Sequence, residues 1–255
     1  SRTPAHYAAK SGNVPLLNYL IARGANPWCR SSQQETLLHR ACFSSQLEMI
    51  KYLDETYPEM FDKLDTYKRT PAHCAAESGN VTVLKYLIDR GSNPWCRTSQ
   101  KETLLHCACI KGQLEVTKYL VETYSEMMNE VDIDNVTAAH YAAQSGNVSV
   151  LSFLLDRGTN PWLRTCQEET LLHRACIKGQ LEMTKYLVNT YPKMLYEVSG
   201  CKRTPAHYAA QSGNIHVLQF LLHHGTNPWC QSSHNETLLH RACVHGQLEM
   251  TFYLV

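Results

Sequence analysis

The sequence lacks an excess of charge of either sign. Its 24 Lys plus Arg residues face 23 Asp plus Glu, so the formal net charge is +1. Bulk attraction to phosphate backbones or anionic lipid needs a clear basic excess, and a nucleic-acid partner is not expected. No apolar run approaches ~18 residues, so no direct insertion into a membrane is expected of this segment. No signal-peptide pattern is present and the chain opens on Ser1 rather than Met. There is no Gly-rich phosphate loop, no Ser-His-Asp arrangement and no paired carboxylates with a plausible pocket, so catalysis and a bound cofactor are not expected. The 11 cysteines include no Cys-x-x-Cys pair, and Cys107–Cys109 is the closest spacing. Zinc needs converging ligand sets, and a secreted disulfide framework favours an even count in a shorter chain. The cysteines therefore read as small apolar side chains of a reduced, metal-free protein inside the cell, with the cytoplasm as the expected compartment.

What the sequence does have is a repeat. Thr-x-x-His begins at Thr3, Thr36, Thr70, Thr103, Thr137, Thr170, Thr204 and Thr237, at alternating intervals of 33 and 34 residues. A period in this range is the mark of a stacked-repeat protein. Residues 204–236 show one unit. Thr204 caps and Pro205 suits a first helical turn. Ala206–Ala210 reads as a short small-residue helix, and Gly213-Asn214 as a turn. Ile215, Val217, Leu218, Leu221 and Leu222 follow helical spacing. Gly225 is placed as a C-cap, and Asn227-Pro228 stops the helix. Neither helix buries its apolar face alone, whereas stacking on the next unit does so.

Thr3-Pro4-Ala5-His6, Thr70-Pro71-Ala72-His73 and Thr204-Pro205-Ala206-His207, with the helices and turns that follow them, resemble the ankyrin-repeat family over all 255 residues. The resemblance implies an all-α solenoid of helix-turn-helix units with hairpin-like loops. It also implies a non-enzymatic scaffold for protein–protein interaction. The expected units are 1–35, 36–69, 70–102, 103–136, 137–169, 170–203, 204–236 and a partial 237–255. They form one array, expected to be a piece of a longer one. Two alternatives stay open. One is a cytoplasmic spacer or spring in a larger membrane protein such as a channel. The other is the targeting arm of an enzyme or effector.

The units alternate in type, giving a 67-residue super-repeat. Odd units end in Gly-x-Asn-Pro-Trp, as at Gly24–Trp28. Even units open Thr-Leu-Leu-His and run a longer second helix into Thr-Tyr, as at Thr56-Tyr57-Pro58. Residues 137–188 and 204–255 align without gaps and differ at 15 of 52 positions, which favours duplication of a pair.

The eight repeated histidines are expected to bond to backbone. Cys42, Cys109, Cys176 and Cys243 stand where the family has Ala, so burial is expected. Trp28, Trp95, Trp162 and Trp229 are expected to pack under the hairpins. Glu48/Lys51, Glu115/Lys118 and Glu182/Lys185 read as weak ion pairs on a solvated face. The resemblance places a partner on the concave face built from first helices, with Tyr7, Arg40, Lys111, Tyr141, Arg174, Lys178, Tyr208 and Arg241 as its candidate contacts. Tyr and Arg are favoured interface anchors, and the Arg fork suits carboxylates and phosphates. The expected partner is therefore an extended, acidic or phosphorylated protein segment. The polar hairpin tips, such as Arg30–Gln33 and Arg97–Gln100, are a second candidate surface.

Overall fold

A computed structural model describes residues 2–255, so Ser1, the first residue of the first expected repeat, lies outside the described residues. The described residues form helices, turns and loops without an extended strand. They fall into two compact units, Ser1–Ile133 and Asp134–Val255. The first carries α1 (Pro4–Ser11), α2 (Val14–Ala22), α3 (Leu37–Phe43), α4 (Leu47–Thr56), α5 (Pro71–Ser78), α6 (Val81–Asp89), α7 (Leu104–Ile110) and α8 (Leu114–Thr123). The second carries α9 (Ala138–Ser145), α10 (Val148–Asp156), α11 (Leu171–Ile177), α12 (Leu181–Thr190), α13 (Pro205–Ser212), α14 (Ile215–His223), α15 (Leu238–Val244) and α16 (Leu248–Leu254).

Each repeat is a first helix, a tight turn and a second helix. The Thr of every Thr-x-x-His is an N-cap in extended conformation, closed by a capping box with the His three residues on. That reciprocal bonding satisfies orphan N–H groups at the helix start. In odd repeats a left-handed glycine ends the first helix, and the next Asn caps the second. Gly79 shows why glycine is required there. Its φ is +82°, and a Cβ would lie 2.2 Å from Oε1 of Gln113. That Gln comes from the following repeat and donates through Nε2 to the Glu77 carbonyl at 2.9 Å, tying the two helix ends together.

First helices pack on first helices in sequence order, α1–α3–α5–α7 in one unit and α9–α11–α13–α15 in the other. Ala8, Ala9, Ala41, Cys42, Ala75 and Ala76 are fully buried between them, small enough for close approach. Larger buried apolar residues come from second helices, including Leu17, Met49, Ile50, Leu53, Leu84 and Leu87, and from the first helices of even repeats, as Leu37, Leu38, Leu104 and Leu105. Every extensive helix–helix contact among the described residues joins helices of the same repeat or of adjacent repeats, so each unit is a stack of small cores.

Even repeats reach their hairpin loop without the glycine that follows the second helix of odd repeats. Their second helices end at Thr56, Thr123 and Thr190, and a 3-10 turn follows at Pro58–Met60, Ser125–Asn129 and Pro192–Tyr196. Met60, Met127 and Met194 in those turns are fully buried. The chain then closes a tip like that of the odd repeats, as where the Asp65 N–H meets the Arg69 carbonyl at 3.1 Å. Consecutive tips are joined by single backbone bonds. Thr66 donates to Gln33, Ser99 to Tyr67 and Ile133 to Gln100, at 2.8–2.9 Å.

Candidate partner-binding face

Four of the repeated histidines bond on both ring edges. Nδ1 of His6, His39, His173 and His207 accepts from the N-cap Thr hydroxyl at 2.9 Å and also from the Thr N–H. Because Nδ1 accepts, the proton sits on Nε2, which donates at 3.0–3.1 Å to the carbonyls of Glu35, Arg69, Arg203 and Glu236 just before the next repeat. Burial pushes these rings toward neutrality, His73 down to about 4 and His173 to about 3.

A recurrent thiol–imidazole contact had no sequence signal. Cys29, Cys96 and Cys230 lie 3.7 Å from Nδ1 of His6, His73 and His207, and beside the capping Thr hydroxyl. A nucleophile needs an available base and a lowered thiol pKa. Here Nδ1 is already taken by Thr, and burial raises the thiol pKa of Cys96 and Cys230.

Cys42, Cys109 and Cys176 are buried as small core side chains, and burial lifts Cys109 and Cys176 to about 12. Cys243 is exposed instead, because no described helix covers that side of α15. The tryptophans depart in part from the expected packing. Trp28, Trp95 and Trp162 meet Tyr57, Tyr124 and Tyr191 of the next repeat edge-on, at 5.6–6.0 Å, yet stay about two-fifths exposed. Trp229 meets no such Tyr and is 84% exposed. The outer pairs Glu48/Lys51, Glu115/Lys118 and Glu182/Lys185 form at 2.8–2.9 Å with exposed carboxylates.

The candidate contact residues divide by burial. Tyr7 is 58% exposed, and Lys111 and Lys178 are exposed. Tyr141 and Arg174 are half-buried. Arg40, Tyr208 and Arg241 are buried, at 5–8% exposure, which corrects the expectation of open arginine forks. Arg40 reaches Glu35 at 3.5 Å and Arg174 reaches Glu169 at 3.2 Å. Arg241 bonds the side chain of Gln211, meets His245 at 3.1 Å and lies 3.9 Å from Glu236. Nε of each of these arginines is buried without a partner, so the Nη ends hold the fork. Tyr208 packs edge-on against His173 at 5.3 Å. The overlooked signal is a glutamate immediately before the Thr of every even repeat: Glu35, Glu102, Glu169 and Glu236. These carboxylates supply the counter-charges.

The hairpin arginines are structural too. Arg30 donates to the carbonyls of Gln34 at 3.1 Å and of Leu64 in the next hairpin at 2.9 Å. Arg97 and Arg164 repeat this clamp and add ion pairs to Glu130 and Glu197. The exposed tip residues include Ser32, Gln33, Ser99, Gln100, Cys166, Gln167, Gln231, Ser233 and His234.

Comparison with known proteins agrees with this geometry. The family model described as ankyrin repeats (3 copies) matches residues 5–98, 91–165, 125–197 and 172–255. The chain is 26% identical over 196 residues to human transient receptor potential cation channel subfamily A member 1, covering 74% of this chain and 18% of the channel. A fowlpox virus protein named for its ankyrin repeats is 29% identical over 159 residues, 61% of this chain and 84% of that protein. The palmitoyltransferase AKR1 of Lachancea kluyveri is 29% identical over 119 residues, 46% of this chain and 16% of that protein. The chain thus spans less than a fifth of the channel and of the transferase.

Proposed function

The chain belongs to the ankyrin-repeat family, and from that premise we propose that its eight repeats act as one non-enzymatic scaffold inside the cell. The scaffold holds a protein partner on the inner face of the first helices and on the adjoining hairpin tips. The observation that carries this reading is the contrast between faces. Outer-face charges pair within their own helix, whereas Tyr7 and Lys178 project beside Lys111, which lies 4.0 Å from Glu77, on a row whose arginines are braced by glutamates. Aromatic and basic side chains on a pre-organised support suit a protein interface. In this reading Tyr7, Lys111, Tyr141 and Lys178 make contact, while Arg40, Arg174, Tyr208 and Arg241 hold the surface in shape. An acidic or phosphorylated partner loses its support, because the arginine forks it required already face carboxylates.

Photo-crosslinking tests the face. A benzophenone side chain at Tyr7, Lys111 or Lys178 should capture a partner that the same probe at Glu48, Glu115 or Glu182 does not. Capture only from the outer positions would remove the inner-face assignment. The similarity to a cation channel favours a second reading, in which these repeats are a spacer within a larger membrane protein. A stretch of ~20 apolar residues elsewhere in the parent chain would be its mark.

A further inference from the structure

We propose that the inner face at the third and fourth repeats carries a socket for an arginine side chain supplied by a protein partner. The proposal rests on the inner-face reading and names what one part of that face recognises.

Three of the four even repeats place their own arginine at the fourth residue after the Thr: Arg40, Arg174 and Arg241. The remaining one has Cys107, whose short side chain is 2% exposed. An open cavity of about 270 Å³ lies over Cys107. Its walls correspond to the groups that hold arginine elsewhere. Arg40 touches Glu35 and stacks at 5.3 Å on Phe43, whose counterparts 67 residues on are Glu102 and Ile110. Arg241 touches Gln211, Glu236 and His245, whose counterparts 134 residues earlier are Glu77, Glu102 and Lys111. Glu77, Glu102, Ile110 and Lys111 all line the cavity. The wall is thus that of an arginine site whose arginine is absent from the sequence.

Two further differences strengthen the case. Arg2 and Arg40 both lie on Glu35, and Arg203 and Arg241 both lie on Glu236. At the cavity the counterpart of Arg2 and Arg203 is Arg69, which turns away to Asp65 at 2.8 Å and Glu77 at 3.1 Å. The neutral acceptor Gln211 is replaced here by Glu77, adding a carboxylate where a guanidinium nitrogen would point. Thr98 donates to Glu102 at 2.9 Å, as Ser31 does to Glu35 at 3.1 Å, so the carboxylate keeps its orientation. Lys111 lies 4.0 Å from Glu77, so the cavity's two cations, Arg69 and Lys111, face three carboxylates, Asp65, Glu77 and Glu102; a cation beside such a lysine has a precedent in Arg174 beside the equivalent Lys178. A planar fork between two carboxylates, lying on an aliphatic wall, favours guanidinium over ammonium.

The test is an NMR titration of the ¹⁵N-labelled 255-residue chain with Nα-acetyl-L-arginine methylamide. Saturable shifts should fall on the amides of residues 98–102 and 107–111. The citrulline analogue, equal in shape but neutral, should bind at least fivefold more weakly. Cys107→Arg should abolish the response by filling the socket from within, while Cys107→Ala should keep it. If Cys107→Arg does not fold, Glu77→Gln serves instead and should weaken binding at least threefold. Equal binding of the citrulline analogue, a response that survives in folded Cys107→Arg, an unchanged response in Glu77→Gln, or no saturable shift would overturn the socket. So would a stronger response of the same amides to the glutamate analogue. A partner that crosslinks to Tyr7 and Lys178 yet ignores Cys107→Arg would leave the inner-face reading standing and remove only the socket.

Discussion

Mild acid should unfold this protein through its histidines, and the expected size follows from the structure. His73 and His173 are fully buried, with Nδ1 accepting from the capping Thr. Burial holds their pKa near 4 and near 3, against 6.5 when unfolded. A base whose folded pKa is depressed stays neutral in the fold while the unfolded chain takes up a proton. Stability is therefore complete above the unfolded value and falls as pH drops through 6.5, until the folded values are reached. At 1.36 kcal/mol per unit, each ring removes about 2 kcal/mol between pH 7 and 5. The two together remove about 4 kcal/mol, a large share of the ~5–15 kcal/mol typical of a domain. His6, His39 and His207 are shifted in the same direction and steepen the fall. Urea unfolding from pH 7.5 to 5.0, followed by circular dichroism, measures the slope, and the NMR shifts of the imidazole Cε1 protons report the folded titration. His73→Asn with His173→Asn should flatten the slope by about two protons. A flat profile between pH 7 and 5, or native imidazole signals titrating near 6.5, would refute the reasoning.

Three further outcomes follow from particular residues. Ser45 sits at φ +57°, where the other even repeats have Gly112, Gly179 and Gly246, so Ser45→Gly should stabilise by about 1 kcal/mol in urea unfolding; destabilisation would show that the serine side chain carries a compensating contact. Asp54 is buried against Tyr86 at 2.7 Å and Arg90 at 2.6 Å; the positions corresponding to Asp54 are Val121 and Val188, and those corresponding to Tyr86 are Phe153 and Phe220. Asp54→Val or Tyr86→Phe alone should cost about 1–3 kcal/mol and the double change less than their sum, because the partnered polar groups leave together; strict additivity would deny the coupling. In thiol labelling of the native protein, Cys166 and Cys243 should react quickly and Cys42, Cys109 and Cys176 only on unfolding; rapid labelling of Cys176 would contradict its burial.

The period of Thr-x-x-His and its flanking turn residues determined the helix-turn-helix unit, because capping and left-handed glycine chemistry act within a few residues. Thr3 and His6 find each other across one helical turn, and Gly79-Asn80 ends one helix and caps the next, whatever lies around them. The way even repeats close their hairpin was not legible, because a 3-10 turn holding the buried Met60 against its own second helix stands where odd repeats have a glycine. The charges of the candidate face were misleading when read from sequence. Arg40 and Glu35 lie on either side of a helix start, five residues apart, and Arg203 and Glu236 lie a whole repeat apart. Long-range pairing of that kind is decided when one repeat settles on the next, since the free energy of burying a charge depends on which counter-charge the stacking brings within reach. The same stacking turns the single replacement of Arg by Cys107 from a conservative-looking lapse in a repeat into a cavity with carboxylate walls.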